Sequence, residues 1–323
     1  MTLKKKIIIL VLSACGVAGI VIFSTNPQQI KGEEVYQISY IHRGEIPEES
    51  QQVILQGMEQ ASNAFNVELT AVNSGNRADA NGQKALLEKE VENGADAILI
   101  EGIDDDGVRA ELEKINAVIP VVEVKSRTGD GKDNKIIQIH ADDYVIGQEL
   151  GKSILKRLGP EEGVILVKSG TEYSDVAERY LGVKEIMDVS AVPVEEVDAG
   201  TDEVSRALMF TNLMANQSTR HIVAFSSPEL EALGKAKQEN PDFKDISIYG
   251  TGNTNQIINY LESGTIQVIG VSNEYSIGYL SVRNAVMKLN EEEIEKNQIK
   301  YSIIDASQIY KKENQRLLFP FVQ

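Results

Sequence analysis

Short apolar runs alternate with longer stretches of helical periodicity along most of this chain. Residues 35–41, 67–72, 97–100 and 120–124 form the first four runs, and their length and β-branched content suit strands buried on both faces. Between them Val53, Ile54, Gly57, Met58, Ala61 and Phe65 share one helical face, and Leu86, Leu87 and Val91 share another. The alternation predicts a parallel sheet covered by helices on both sides. It restarts after residues 135–140, with strands expected at 164–167, 222–225, 246–249 and 267–271. Intervening helical faces are marked by Val176, Tyr180, Val183 and Met187, then by Leu208, Leu213 and Met214. No Pro-rich or Gly/Ser-rich linker separates the two halves. The expected fold class is therefore α/β: two doubly wound parallel-sheet lobes joined by short strands at a hinge. Residues 301–304 read as a last strand, and the apolar tail around Leu317, Leu318, Phe319 and Phe321 as a docked terminus.

The N-terminus follows a different pattern. Lys4, Lys5 and Lys6 precede an unbroken apolar or small run over residues 7–23, about 25 Å long as a helix and at the short end of a membrane span. Lysines on that side stay in the cytoplasm, so the body is expected outside it, at the outer face of the bacterial membrane. Leu12, Ser13, Ala14 and Cys15 resemble a lipobox, which would lipidate Cys15 after cleavage. Yet the apolar run continues past Cys15, as an uncleaved anchor would. Residues 1–24 are thus a signal or membrane anchor, and polar residues 25–33 a tether.

Charge and motifs narrow the chemistry. A formal net charge of −17 excludes nucleic acid as a partner, because phosphate binding relies on clustered Lys and Arg. Cys15 is the only cysteine, so the folded body has no disulfide and no thiolate metal site. After Gly131 and Lys132 comes Asp133, and Ser126 stands where a Walker loop needs its first Gly. Asp104, Asp105, Asp106 and Gly107 lack EF-hand spacing and read as a helix start. The region of Gly250 and Gly252 is not a dinucleotide fingerprint, and no nucleophile elbow occurs. His42, His140 and His221 are not spaced as metal ligands. Neither an enzyme nor a cofactor is implied.

Five segments then fall in a familiar order: Gly-Ala-Asp-Ala-Ile-Leu-Ile at 94–100, Ile-Pro-Val-Val at 119–122, Ile-His-Ala-Asp-Asp-Tyr-Val-Ile-Gly at 139–147, Ala-Glu-Arg-Tyr-Leu-Gly at 177–182 and Ala-Leu-Gly at 232–234. Through them, from Glu34 to about Val286, the chain resembles the ribose-binding type of periplasmic binding proteins, which share a fold with the effector domains of lactose-repressor regulators. The resemblance implies an N-terminal lobe of residues 34–140 plus 273–297 and a C-terminal lobe of 141–272 plus 298–323. A small polar ligand would sit between them, and the lobes would close about a hinge near residues 141–143 and Ser272. The implied partner is an ABC permease; a membrane histidine kinase that reads the ligand is the alternative.

Carried over by position, the ligand candidates are His42 and Arg43 after the first strand, Lys125 and Arg127 after the fourth, Asp142 at the first crossing and Arg179 on a C-lobe helix. Glu229 beside Pro228, Asn253 beside Gly252, and Ser272 with Asn273 complete the set. The sugar binders' Asp-Arg pair after the fourth strand is replaced by Lys125 and Ser126. With Arg43, Lys125, Arg127 and Arg179 converging on one cleft, the expectation extends to an anionic ligand such as a sugar acid. Arg179 is expected to touch that ligand, and its removal to spare the fold.

Overall fold

Five parallel strands make the first sheet: β1 (Tyr36–His42), β2 (Val67–Asn73), β3 (Ala97–Ile100), β4 (Val121–Val124) and β5 (Ile137–Ile139), in the order β2-β1-β3-β4-β5. They come from a computed structural model that describes residues 35–44, 48–75, 79–129, 135–199, 202–216, 220–294 and 298–319. Contacts divide the chain into Met1–Val35 and Tyr36–Gln323, and the second unit is the one described below. The apolar N-terminal run, its lysines and Cys15 lie outside the described residues. Among the described residues no helix is long and apolar enough to cross a membrane.

Alternate residues of each strand go to opposite cores, as the two-residue period of a strand requires. Ala97 and Leu99 join one cluster with Ile38, Tyr40 and Met58, while Ile98 and Ile100 join another with Ile41, Leu87 and Leu112. Helices α1 (Glu48–Phe65), α2 (Ala80–Glu92) and α3 (Asp106–Asn116) connect these strands. The aspartate cluster serves as a helix start: Asp105 Oδ1 accepts from Gly107 N and Val108 N at the head of α3.

The second sheet holds β6 (Val164–Lys168), β7 (Val194–Asp198), β8 (His221–Ala224), β9 (Ser247–Thr251), β10 (Ile266–Ser272) and β11 (Tyr301–Ile304), ordered β11-β10-β9-β8-β6-β7. All pair in parallel except β11, which runs antiparallel to β10 along the edge. Its helices are α4 (Asp143–Leu155), α5 (Ser174–Val189), α6 (Glu203–Asn216), α7 (Ser227–Glu239) and α8 (Asn255–Glu262). Next comes α9 (Glu274–Leu289), which packs back on α1 and on β3, β4 and β5 of the first sheet. The chain then returns to form β11 and α10 (Lys312–Leu318). Three strands of chain therefore cross between the lobes, after β5, after β10 and before β11. Asn273 N donates to Lys300 O at 2.9 Å and ties the last two together.

Two expectations need correction. Leu208 was grouped with Leu213 and Met214 on a buried face, but it is 62% exposed, and Phe210 fills the core position instead. Strand β7, of sequence VEEVD, has no counterpart among the expected strands, because it lies on the sheet's edge with only Val194 and Val197 half-buried and the other three positions exposed. The tail agrees with expectation as far as Leu317 and Leu318, which are buried.

Candidate functional site

Strand order reverses between β1 and β3 in the first sheet and between β6 and β8 in the second. Crevices outside the carboxyl ends of strands at such points are where open α/β sheets bind ligands. Arg43 follows β1, Glu101 follows β3, Ser169 follows β6, and Ser226 comes two residues after β8. A cavity of about 90 Å³ lies there between the lobes. It is small against the roughly 300–1,000 Å³ of drug-sized sites, so its occupant is small or the lobes part to admit it.

Arg43 reaches across the cavity. Its Nε donates to Glu101 Oε2 at 2.5 Å, its Nη2 to Asp175 Oδ1 at 2.9 Å, and its guanidinium carbon lies 4.1 Å from the Tyr173 ring centre. Glu101 Oε1 is taken by the buried Tyr40 hydroxyl at 2.5 Å. Asp175 links Arg43 to Arg179, whose Nη2 donates to Asp175 Oδ2 at 2.7 Å. The remaining Arg179 donors go to Asp143 Oδ1 at 2.7 Å, Phe225 O at 3.1 Å and Thr251 Oγ1 at 3.2 Å.

That placement depends on two glycines. Helices α4 and α5 cross so closely that a Cβ on Gly147 would stand 2.3 Å from Arg179 O, and one on Gly182 would stand 2.3 Å from Tyr144 O. The close crossing brings Asp143, at the start of α4, within reach of Arg179 on α5.

The electrostatics follow from burial and partners. Burial pushes the Asp143 carboxyl up to about 6, and Arg179 offsets only part of that. Asp175 is equally buried, yet Arg43 and Arg179 together hold its carboxyl well below the usual range. Burial alone would lower Lys125, but Glu274 and Glu101 raise it; its Nζ donates to Glu274 Oε1 at 2.9 Å. Glu229 accepts from Ser169 Oγ at 3.0 Å and from Ser226 Oγ, and Arg206 Nε lies 3.4 Å away.

Six of the ten positions chosen from sequence line this cavity: Arg43, Lys125, Arg179, Glu229, Asn253 and Ser272. The other four stand elsewhere. His42 is tilted against Tyr40, with 5.6 Å between ring centres. Asn273 caps α9, accepting from Ser276 N at 3.0 Å. Asp142 caps α4 through Val145 N at 3.2 Å and, with Arg127, lines a separate crevice beside the hinge. Arg127 is ion-paired there with Glu178. Three residues that sequence reasoning did not select, Asp143, Asp175 and Glu274, line the cavity as well, together with Tyr173. Asp175 had a usable signal, since it precedes Arg179 by one helical turn.

Of the four cations that suggested an anionic ligand, three line the cavity and Arg127 lies in the separate crevice. Arg43, Lys125, Arg179 and Arg206 meet Glu101, Asp143, Asp175, Glu229 and Glu274, so every one of these cations already has a carboxylate partner. Among the described residues no group of three or more His, Cys, Asp and Glu is placed to hold a metal ion. His221, bonded to Glu162 at 2.9 Å and to Tyr249 at 3.1 Å, begins β8 and so sits at the opposite end of the sheet from the cavity.

Known proteins share this fold. The family profile described as "Periplasmic binding protein domain" matches residues 48–293. The ribose import binding protein RbsB of Bacillus subtilis is 28% identical over 174 residues, which is 53% of this chain and 56% of that protein. The chain thus aligns with little more than half the length of that curated relative. A solute-binding protein of an ABC transporter from Agrobacterium vitis, solved with D-fucose, superposes with a TM-score of 0.79 at 18% identity, covering 88% of this chain and 100% of that one. A carbohydrate-transporter solute-binding protein from Agrobacterium radiobacter, solved with D-arabinose, gives 0.78 at 18% identity over 88% and 98%. At these identities the structural likeness carries the fold, while the profile spans most of the chain. With the profile matched over most of its length, the chain belongs to the periplasmic binding protein family, and its two sheets and three crossings give it the two-lobed fold of the structures it resembles.

Proposed function

We propose that this protein captures a small neutral sugar between its lobes, outside the cytoplasmic membrane, and presents it to an ABC importer. The observation that carries this reading is the internal charge balance of the cavity. An incoming carboxylate would find each buried cation engaged and several carboxylates at close range, whereas a polyol needs only hydrogen-bonding groups. Ser169, Ser272, Thr251 and Asn253 supply uncharged polar groups, and Tyr173 supplies an aromatic face. The relatives support the same class of solute: one is a ribose import binding protein, and two structural neighbours hold D-fucose and D-arabinose.

Capture is a matter of closure. Ligand contacts with Arg43 and Lys125 on one lobe and with Arg179 and Asn253 on the other would favour the closed state by their combined affinity. The proposed partner recognises that state, and no chemical step is involved. Thermal-shift measurement of the full chain with D-ribose, D-arabinose, D-fucose and D-galactose, against D-gluconate and D-galacturonate, tests the reading. A bound aldose at a hundred times its Kd should raise Tm by about 4 °C for a unit of this size. A shift with the sugar acids alone would reject the neutral-sugar reading.

A further inference from the structure

Carboxylates at the cavity differ in one respect. Asp175, Glu101 and Glu229 each have both oxygens engaged by protein donors. Glu274 has one oxygen bonded to Lys125 Nζ, while its Oε2 is shielded from solvent and has no hydrogen-bond partner among the described residues. A desolvated carboxylate oxygen without a donor is unfavourable and rare in native proteins. Glu274 and Lys125 both line the cavity, so the missing donor has a place from which to come.

Lys125 carries a second anomaly. Its backbone φ is +61°, a left-handed conformation that side chains with a Cβ adopt at a cost. Two backbone bonds hold the turn, Lys125 N to Ile139 O at 3.0 Å and Ser126 N to Val124 O at 2.7 Å. The ammonium has three N–H donors, of which one goes to Glu274 and none to another acceptor among the described residues. The two residues are 149 positions apart in sequence, Lys125 after β4 and Glu274 in the first turn of α9. A strained backbone and a desolvated oxygen thus meet at one point of the cavity wall.

We propose that Lys125 and Glu274 form the specificity-determining pair of the cavity, reading a single hydroxyl of a neutral sugar. Lys125 Nζ donates to the hydroxyl oxygen, and Glu274 Oε2 accepts its proton. The inference rests on the neutral-sugar reading. The pair is itself electrically balanced, so it adds no attraction for an anion, and its side-by-side donor and acceptor suit a group that is both acceptor and donor. An analogue lacking that hydroxyl leaves Glu274 Oε2 buried and unpaired again, and sites of that kind reject such analogues strongly.

The test is isothermal titration calorimetry of the full chain with D-ribose, D-arabinose, D-xylose, D-fucose and D-galactose, then with the monodeoxy derivatives of whichever aldose binds. One monodeoxy derivative should bind wild type about ten- to hundredfold more weakly than its parent. Glu274→Gln and Lys125→Met should weaken the parent by a similar factor, and the same derivative should then lose little further affinity. Variants that bind the parent as wild type does, or that still lose the full factor on removal of that hydroxyl, overturn the proposal and leave the neutral-sugar reading standing. Should neither variant fold, the wild-type series decides: tolerance of every deoxygenation without a tenfold loss overturns the pair. If no aldose binds wild type, the neutral-sugar reading has failed and the pair falls with it.

Discussion

Replacing Arg179 with alanine removes four hydrogen bonds at once and leaves two carboxylates in a buried site. Asp143 loses its only ion-pair partner among the described residues, while Asp175 keeps Arg43 on its other oxygen. Removing one member of a buried ion pair typically costs about 3–5 kcal/mol, because a charge is left uncompensated. Two features place this case near the lower figure. Phe225 O still accepts from Thr251 Oγ1 at 2.6 Å, and Asp143, already pushed up to about 6, can take a proton instead of remaining charged. A loss of about 3 kcal/mol in a unit of this size lowers Tm by about 5 °C at pH 7. Differential scanning fluorimetry measures it directly. The deficit against wild type should narrow at pH 5, where Asp143 is neutral, and the double variant Arg179→Met, Asp143→Asn should recover part of it. An Arg179→Ala protein that melts with wild type at pH 7 would refute the reasoning, and would favour the expectation from sequence that Arg179 serves ligand alone.

Stability should also depend on pH in wild type. A raised Asp143 contributes stability that is fully present below about pH 3.9 and is lost as pH rises through about 6. A depressed Asp175 contributes stability above about pH 3.9 that is lost in stronger acid, so Tm should peak between about pH 4 and 6; a maximum above pH 7 would contradict the Asp143 assignment, and a Tm still rising below pH 3 the Asp175 one. Small-angle scattering should show a smaller radius of gyration with a bound aldose than without, and an unchanged radius would argue against hinge closure on binding. Fractionation of the tagged full chain should place it with membranes, and Cys15→Ala should leave it there if residues 1–24 stay uncleaved; recovery from the cytosol would reject the export reading.

What could be read from sequence followed the depth of burial. Strand Ala97–Ile100 is buried at every position and appears as an unbroken apolar run, and Val121–Val124, equally buried, is interrupted only by Glu123, so strand positions and lobe count were legible. Val194–Asp198 is an edge strand with polar residues at three of five positions, and it left no such trace. The cations of the cleft were legible as positions, but their partners were mostly not. Asp175 lies one turn from Arg179, whereas Glu101 and Glu274 meet Arg43 and Lys125 only through the fold, at separations of 58 and 149 residues. The expectation of an anionic ligand rested on the cations alone, without those partners.

The arrangement of charges also decides what opening the cleft would cost. Arg43 and Asp175 belong to different lobes, and their bond must break when the lobes part. Each nevertheless retains a partner in its own lobe: Arg43 keeps Glu101 at 2.5 Å and Asp175 keeps Arg179 at 2.7 Å. No ion is orphaned, and water replaces the lost contact, so this bond weighs on opening more like an exposed ion pair, about 0–1 kcal/mol, than like a buried one. The other ion pair across the lobes, Arg127 with Glu178, is partly exposed on both sides, so water can replace each partner when the cleft opens. In this chain of four charges, two in each lobe, parting the lobes leaves every ion a partner, so the network leaves room for a bound ligand to shift the balance between open and closed by its differential affinity.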